Sequence, residues 1–356
     1  MRQVKLPVPF TAMAPKGLPF SAARMNTGRR REPRISSGPF TSKASLLLDT
    51  SERRATVLAT GPRHEVERHP AARNAIVRSL PNSVVFPALV NAHTHLDLTH
   101  IGPRDFDPAR GFGSFVDLVR TERAVEDAHI AASVSRGLDL LLAGGTGAVG
   151  DIAGAPRGIP SLVPLRVLNS RAMPGVSFIE FFAIGKGEHG GLSRMLGALD
   201  SPDCAAGCAQ PGLQPHATNT VSLGAFDRAV NEAAARGLRL STHLAETPEE
   251  REFIAHASGP QRELLERLGV WTDDILRDIG RGKTPVAHMS DVLRRAPFVV
   301  AHVNDASDAD IELLATSGAT VVYCPRASAY FQQERAFGPH RYLDMIRAGV
   351  PVALGT

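Results

Sequence analysis

The chain has 356 residues, 43% apolar and 21% charged, which excludes a disordered chain, a collagen-like repeat and a disulfide-stapled miniprotein. Nine Lys/Arg against one acid make residues 1–45 +8 within a chain of net +4, so the basicity belongs to an extension and the body is mildly acidic. No apolar run of about 18 residues occurs, excluding a transmembrane helix. Three cysteines, Cys204, Cys208 and Cys324, cannot form a disulfide framework, and a reducing, cytoplasmic setting is expected. Cys204 and Cys208 have metal-like spacing but no second pair, so they read as loop residues.

In chain order, residues 1–45 form a basic, flexible extension rich in Pro, Ser, Gly and Arg. It has no apolar signal core; its composition is similar to an organelle transit peptide, or to translation begun too far upstream. Nucleic-acid binding through it is disfavoured, since only Phe10, Phe20 and Phe40 are available for stacking. Residues 46–82 are expected to form a partial β appendage, with strands near Ser45–Asp49 and Arg54–Ala59. Residues 83–356 form the main domain. Apolar strands are expected at 84–91, 146–151, 162–168, 212–216, 238–243, 298–302, 319–324 and 350–355. Amphipathic helices separate them, one carrying Ile130, Val134, Leu138, Leu141 and Leu142 on a single face. A glycine past the helix end recurs at Gly144, Gly237, Gly318 and Gly349, where a left-handed residue turns the chain back to the sheet. Ser307 and Asp310 have capping-box spacing. Eight β/α units of this size predict an α/β fold, a TIM-type (β/α)8 barrel, whose site lies at the C-terminal ends of its strands.

Imidazoles sit at those ends. His93 and His95 close the first strand, and their period-2 spacing points both to the same side. His243 closes the fifth, with Glu246 three residues on, and His302 closes the sixth. Metal-assisted hydrolysis is the chemistry that wants this set. Three neutral imidazoles hold a divalent ion with an open position for water, and a carboxyl nearby can deliver a proton to the leaving group.

The stretches Phe86-Pro87-Ala88-Leu89-Val90-Asn91-Ala92-His93-Thr94-His95-Leu96-Asp97, Pro215-His216-Ala217, Thr242-His243-Leu244-Ala245-Glu246-Thr247-Pro248-Glu249-Glu250 and Val321-Val322-Tyr323-Cys324-Pro325-Arg326 together resemble the amidohydrolase superfamily, in its mononuclear deaminase/chlorohydrolase branch. The likeness is greatest to aminodeoxyfutalosine and adenosine-type deaminases. It implies His93, His95 and His243 as ligands of one divalent metal ion, zinc with iron as the alternative. It also implies Glu246 as proton shuttle, His302 orienting the water or the substrate amine, and His216 contacting substrate. Arg326, near the barrel mouth, is a further candidate for substrate binding. Strand four ends Leu213-Gln214-Pro215-His216, without the lysine of dinuclear relatives.

Three departures touch the substrate pocket: Thr218-Asn219 after Ala217, Ala327-Ser328 after Arg326, and Leu118 where a tryptophan is common. In a fourth, relatives close strand eight with Gly-Thr-Asp, whereas this sequence stops at Gly355-Thr356. The expectation is a barrel incomplete at its C-terminal end, with the last helix and C-terminal β segment missing. The expected function is hydrolytic deamination of an amino-heterocycle or nucleoside-like small molecule with release of ammonia. The alternatives are a catalytically crippled truncated remnant, or a chlorohydrolase or other C–N hydrolase. No membrane partner is expected, and a homo-oligomer is left open.

Overall fold

A computed structural model describes residues 12–13, 44–50, 56–80, 84–85 and 87–356. The extension expected over 1–45 falls almost wholly outside them. The chain divides at Ala88/Leu89 into two compact units. In the first, strand Ala44–Asp49 pairs antiparallel with Thr56–Pro62, shifting register at Leu47/Leu48, and Ala12–Met13 pairs with Val84–Val85.

The second unit is a nearly closed barrel of eight parallel strands, each beside its predecessor in sequence. They are β1 (Leu89–Thr94), β2 (Thr146–Ala153), β3 (Gly175–Phe181), β4 (Ala209–Pro215), β5 (Arg239–Leu244), β6 (Phe298–His302), β7 (Thr320–Tyr323) and β8 (Val352–Leu354). Between the last and first strands, Thr356 N–H donates to the His93 carbonyl at 2.9 Å and Asn91 Nδ2 donates to Thr356 Oγ1 at 3.0 Å.

Two expected strands differ from what is found. Residues 84–91 are split: Val84–Val85 pairs in the first unit and β1 starts at Leu89, with Pro87, which cannot donate to a ladder, between them. The apolar run 162–168 is not a strand but part of helix Val163–Ser170. Pro164 stands in its first turn, where a missing N–H costs nothing, and Leu165 and Leu168 are wholly buried. The true third strand is β3.

Helix Asp127–Ala143 buries Ile130, Val134 and Leu138 as its spacing predicts. Helix Leu223–Arg236 is capped by the Ser222 side chain on Ala225 N–H and ended by left-handed Gly237. Helix Asp308–Ser317 has the full Ser307/Asp310 capping box and ends at left-handed Gly318. After Ala143 the left-handed residue is Gly145, not Gly144. The main core packs Phe226, Leu244, Phe298, Val300, Val321 and Met345 between barrel wall and helices. Burying each such large side chain contributes about 1.5–3 kcal/mol.

Candidate active site

The C-terminal ends of β1, β4, β5 and β6 converge on five histidines. His93 lies within β1 and His95 just beyond it; His216 follows β4, His243 lies in β5, and His302 ends β6. The His93 ring centroid is 5.1 Å from His95, 4.9 Å from His243 and 5.3 Å from His302. His216 stands 4.9 Å from His243. A backbone bond sets the His243 tautomer: Nδ1–H donates to the His216 carbonyl at 2.8 Å, leaving Nε2 with its lone pair.

His93, His95 and His243 fit a divalent cation. Their ligand atoms all lie within 4.8 Å of one another. The His95 and His243 rings are parallel to within 8°, with Nε2 atoms 3.3 Å apart. Burial, reinforced for His93 and His95 by neighbouring histidines, lowers all three pKa values, so the rings are neutral. With the His243 Nε2 lone pair directed at His95 Nε2, either the His95 ring proton or a cation can lie between the two nitrogens. Neutral imidazole is also the form that binds metal.

Glu246, two residues past β5, brings its Oε1 to 3.4 Å from His302 Nε2. Burial, then the charges of Glu250 and Glu249, push its carboxyl up to about 8, so it holds a proton at neutral pH. Glu250 braces this loop. Its carboxylate accepts the backbone N–H groups of Ala245 (3.1 Å) and Glu246 (2.7 Å) and the Thr218 hydroxyl (2.5 Å).

The turns after β5 and β6 store strain. His302 and Val303 have φ of 76° and 50°, and Ala245 has 51°; such non-glycine conformations cost on the order of 1–3 kcal/mol each. Cross-strand bonds hold them: Val303 N–H to Leu244 O and Asn304 N–H to Ala245 O at 2.9 Å, and His340 Nε2–H to His302 O at 2.8 Å.

The cluster thus gathers six of the seven expected site residues. Arg326 stays outside it, exposed on helix Pro325–Tyr330 with no hydrogen bond or ion pair to a described residue. Phe115 packs with Phe112, Tyr330 and Phe331 at centroid distances of 5.7, 6.3 and 4.9 Å, and Phe106 joins Tyr330 and Phe331. Sequence reasoning missed Glu180, Arg123 and His340. Glu180 is the one whose signal was present, as an acid in the apolar run Val176-Ser177-Phe178-Ile179-Glu180-Phe181.

The model of the Amidohydrolase family matches residues 84–356. The chain belongs to this family. The amidohydrolase is 30% identical over 322 residues to the aminodeoxyfutalosine deaminase of Deinococcus radiodurans, covering 85% of this chain and 69% of the relative. It is 29% identical over 282 residues to a 5-methylthioadenosine/S-adenosylhomocysteine deaminase of Haloarcula marismortui, covering 77% and 57%. The chain therefore spans between about half and two thirds of these relatives' length. Among solved structures it is similar in fold to Helicobacter pylori aminofutalosine deaminase in complex with methylthio-coformycin, with TM-score 0.63 and 19% identity over 84% of this chain and 69% of that one. A Xanthomonas campestris adenosine deaminase with bound zinc gives TM-score 0.54 at 20% identity, over 84% and 62%. No described helix of the amidohydrolase is long and apolar enough to cross a membrane.

Proposed function

We propose that the protein is a metal-dependent hydrolase that deaminates an amino-heterocycle of nucleoside-like type, releasing ammonia. The observation that carries this reading is the conjunction of three neutral imidazoles on one point with a protonated Glu246 beside them. His93, His95 and His243 would hold one divalent ion, and zinc suits an all-imidazole set with an open position. When bound, the ion supplies Lewis acidity that brings the pKa of water toward neutrality.

The remaining chemistry belongs to the chain. Glu246 enters the reaction neutral and gives its proton to the departing amine, so that ammonia leaves and not an amide anion, and the proton shed by the attacking water returns Glu246 to its neutral form. His302, 3.4 Å from Glu246, orients the attacking water or the amine. His216 holds the heterocycle. Arg326 has the weakest support of the proposed substrate contacts, since nothing draws it toward the histidines. The names and ligands of the relatives support an adenosine-like substrate.

The test is ammonia release by the zinc-loaded chain from adenosine, 5′-methylthioadenosine and related aminopurine nucleosides. Turnover on any of them, abolished by chelation and restored by zinc, is the expected result. Stoichiometric zinc with no ammonia would favour a metal-binding chain without catalysis. Chloride release from a chlorinated heterocycle, with no ammonia from amines, would favour the chlorohydrolase reading.

A further inference from the structure

Beside the three-imidazole cluster, one buried carboxylate has an oxygen without an assignment. Glu180, next to last in β3, is 1% exposed. Its Oε2 accepts Ala155 N–H at 3.3 Å and faces Arg123 at 3.4 Å, and Arg123 Nε also pairs with Asp97 Oδ2 at 2.9 Å. One guanidinium therefore serves two acids. The chain leaves room for this trio at Gly154, where a Cβ would collide with Arg123 and Asp97. The other oxygen of Glu180, Oε1, has no hydrogen-bond partner among the described residues. A buried acceptor left in that state is costly unless something fills it.

Oε1 lies 4.0 Å from His216 Nε2, too far for a hydrogen bond between them. On its other side, His216 Nδ1 is 2.7 Å from the Thr220 hydroxyl. The Thr220 hydroxyl proton can go to Nδ1 at 2.7 Å or to the Ala217 carbonyl at 3.3 Å; with the shorter contact taken, the imidazole proton sits on Nε2, the side the Glu180 carboxylate favours. The wall then offers a donor, His216 Nε2–H, beside an acceptor, Glu180 Oε1. A second metal ion is the competing occupant, because ligand atoms of Glu180, His216 and His243 also lie within 4.8 Å of one another. It fails on valence. The His243 Nδ1 proton is committed to the His216 carbonyl, and its single remaining lone pair faces His95 at 3.3 Å.

A purine nucleoside presents the complementary pair on one edge: the ring nitrogen next to the glycosidic bond accepts, and the sugar 2′-hydroxyl beside it donates. We propose that Glu180 is a substrate-binding residue whose free oxygen accepts the hydrogen bond of that hydroxyl while His216 holds the ring nitrogen. The assignment rests on the nucleoside-deaminase reading above. It makes the site selective for ribosyl over 2′-deoxyribosyl substrates, with Arg123 as the positioning residue that fixes Glu180.

The test is a cycle on the zinc-loaded full chain, with Kd by calorimetry and kcat/KM by ammonia release, for adenosine and 2′-deoxyadenosine. Removing the hydroxyl should weaken the wild type at least about tenfold, in the range of a hydrogen bond to a charged group. Glu180→Gln should weaken adenosine by a similar factor and distinguish the two nucleosides by less than about twofold. Thermal midpoint and zinc content report whether the variant is folded; should it not fold, Glu180→Asp is read by the same criterion. Equal discrimination by wild type and variant, or none by the wild type, overturns the assignment. Coupling in Kd without ammonia release would sink the deaminase reading and leave Glu180 in its role. Ammonia release without coupling would sink Glu180 alone, and failure to bind either nucleoside overturns both.

Discussion

Glu246 and His302 touch yet are proposed to do different work, and single substitutions separate them from the proposed ligands. Glu246→Gln keeps the shape and removes the transferable proton, so kcat should fall about 10²–10⁴-fold with bound zinc unchanged by elemental analysis. His243→Ala should instead lose the metal itself. Burial pushes the Glu246 carboxyl up to about 8, and in the proposed role its protonated form is the competent one. Activity should therefore hold below that pH and decline as pH rises through about 8; a rate that climbs steadily to pH 10 would contradict the role. These residues were legible in the sequence because each stands at a strand end behind an apolar run. Arg123 and Asp97 were not, because their meaning is a contact with Glu180 across separate elements and no spacing encodes it; Glu180 itself shows only as an acid in an apolar run.

At the scale of elements, local chemistry was legible wherever a side chain or a glycine acts on its own backbone. Ser307 and Asp310 close both halves of their capping box, and Asp310 also accepts the Thr284 hydroxyl. Ser307→Ala should cost about 1 kcal/mol, visible as a lower urea midpoint with the same slope. The expectation failed where an apolar run had no period to declare itself. Residues 162–168 lie mostly in a helix between β2 and β3, and a short apolar run broken only by the exposed Arg166 cannot separate a two-residue from a 3.6-residue repeat. The count of eight strands survived only because a false third strand stood in for the true one. Deeper in the wall, Phe298 is 1% exposed and packs 6.4 Å from Phe226. Phe298→Ala should cost about 3–5 kcal/mol by denaturant titration.

Across the whole molecule, buried acids link stability to pH. Burial pushes both Asp151 and Glu246 up to about 8, against about 4 in an unfolded chain. The folded state thus holds these protons more tightly. Their contribution is complete below about pH 4 and is lost as pH rises toward 8. The buried histidines, whose pKa values are lowered, pull the other way below about pH 6.5, so the urea midpoint of the metal-free chain should fall between about pH 7 and 8; a midpoint rising over that interval would mean the two acids are ionised in the fold. The barrel itself could be read from size and punctuation, whereas its seam could not, since Thr356 meets His93 through a hydrogen bond that spans nearly the entire domain.

The strands lie in the barrel in the order in which they leave the ribosome, and that has a consequence in time. His95 and His243, whose Nε2 atoms stand 3.3 Å apart, are separated by 148 positions. At about 5–20 residues per second, roughly 7–30 s of synthesis pass between the first two imidazoles and the third. Through that interval the nascent chain carries two of the three imidazoles of the proposed ligand set. On that ligand set, the three-imidazole site would be complete only once β5 has been made.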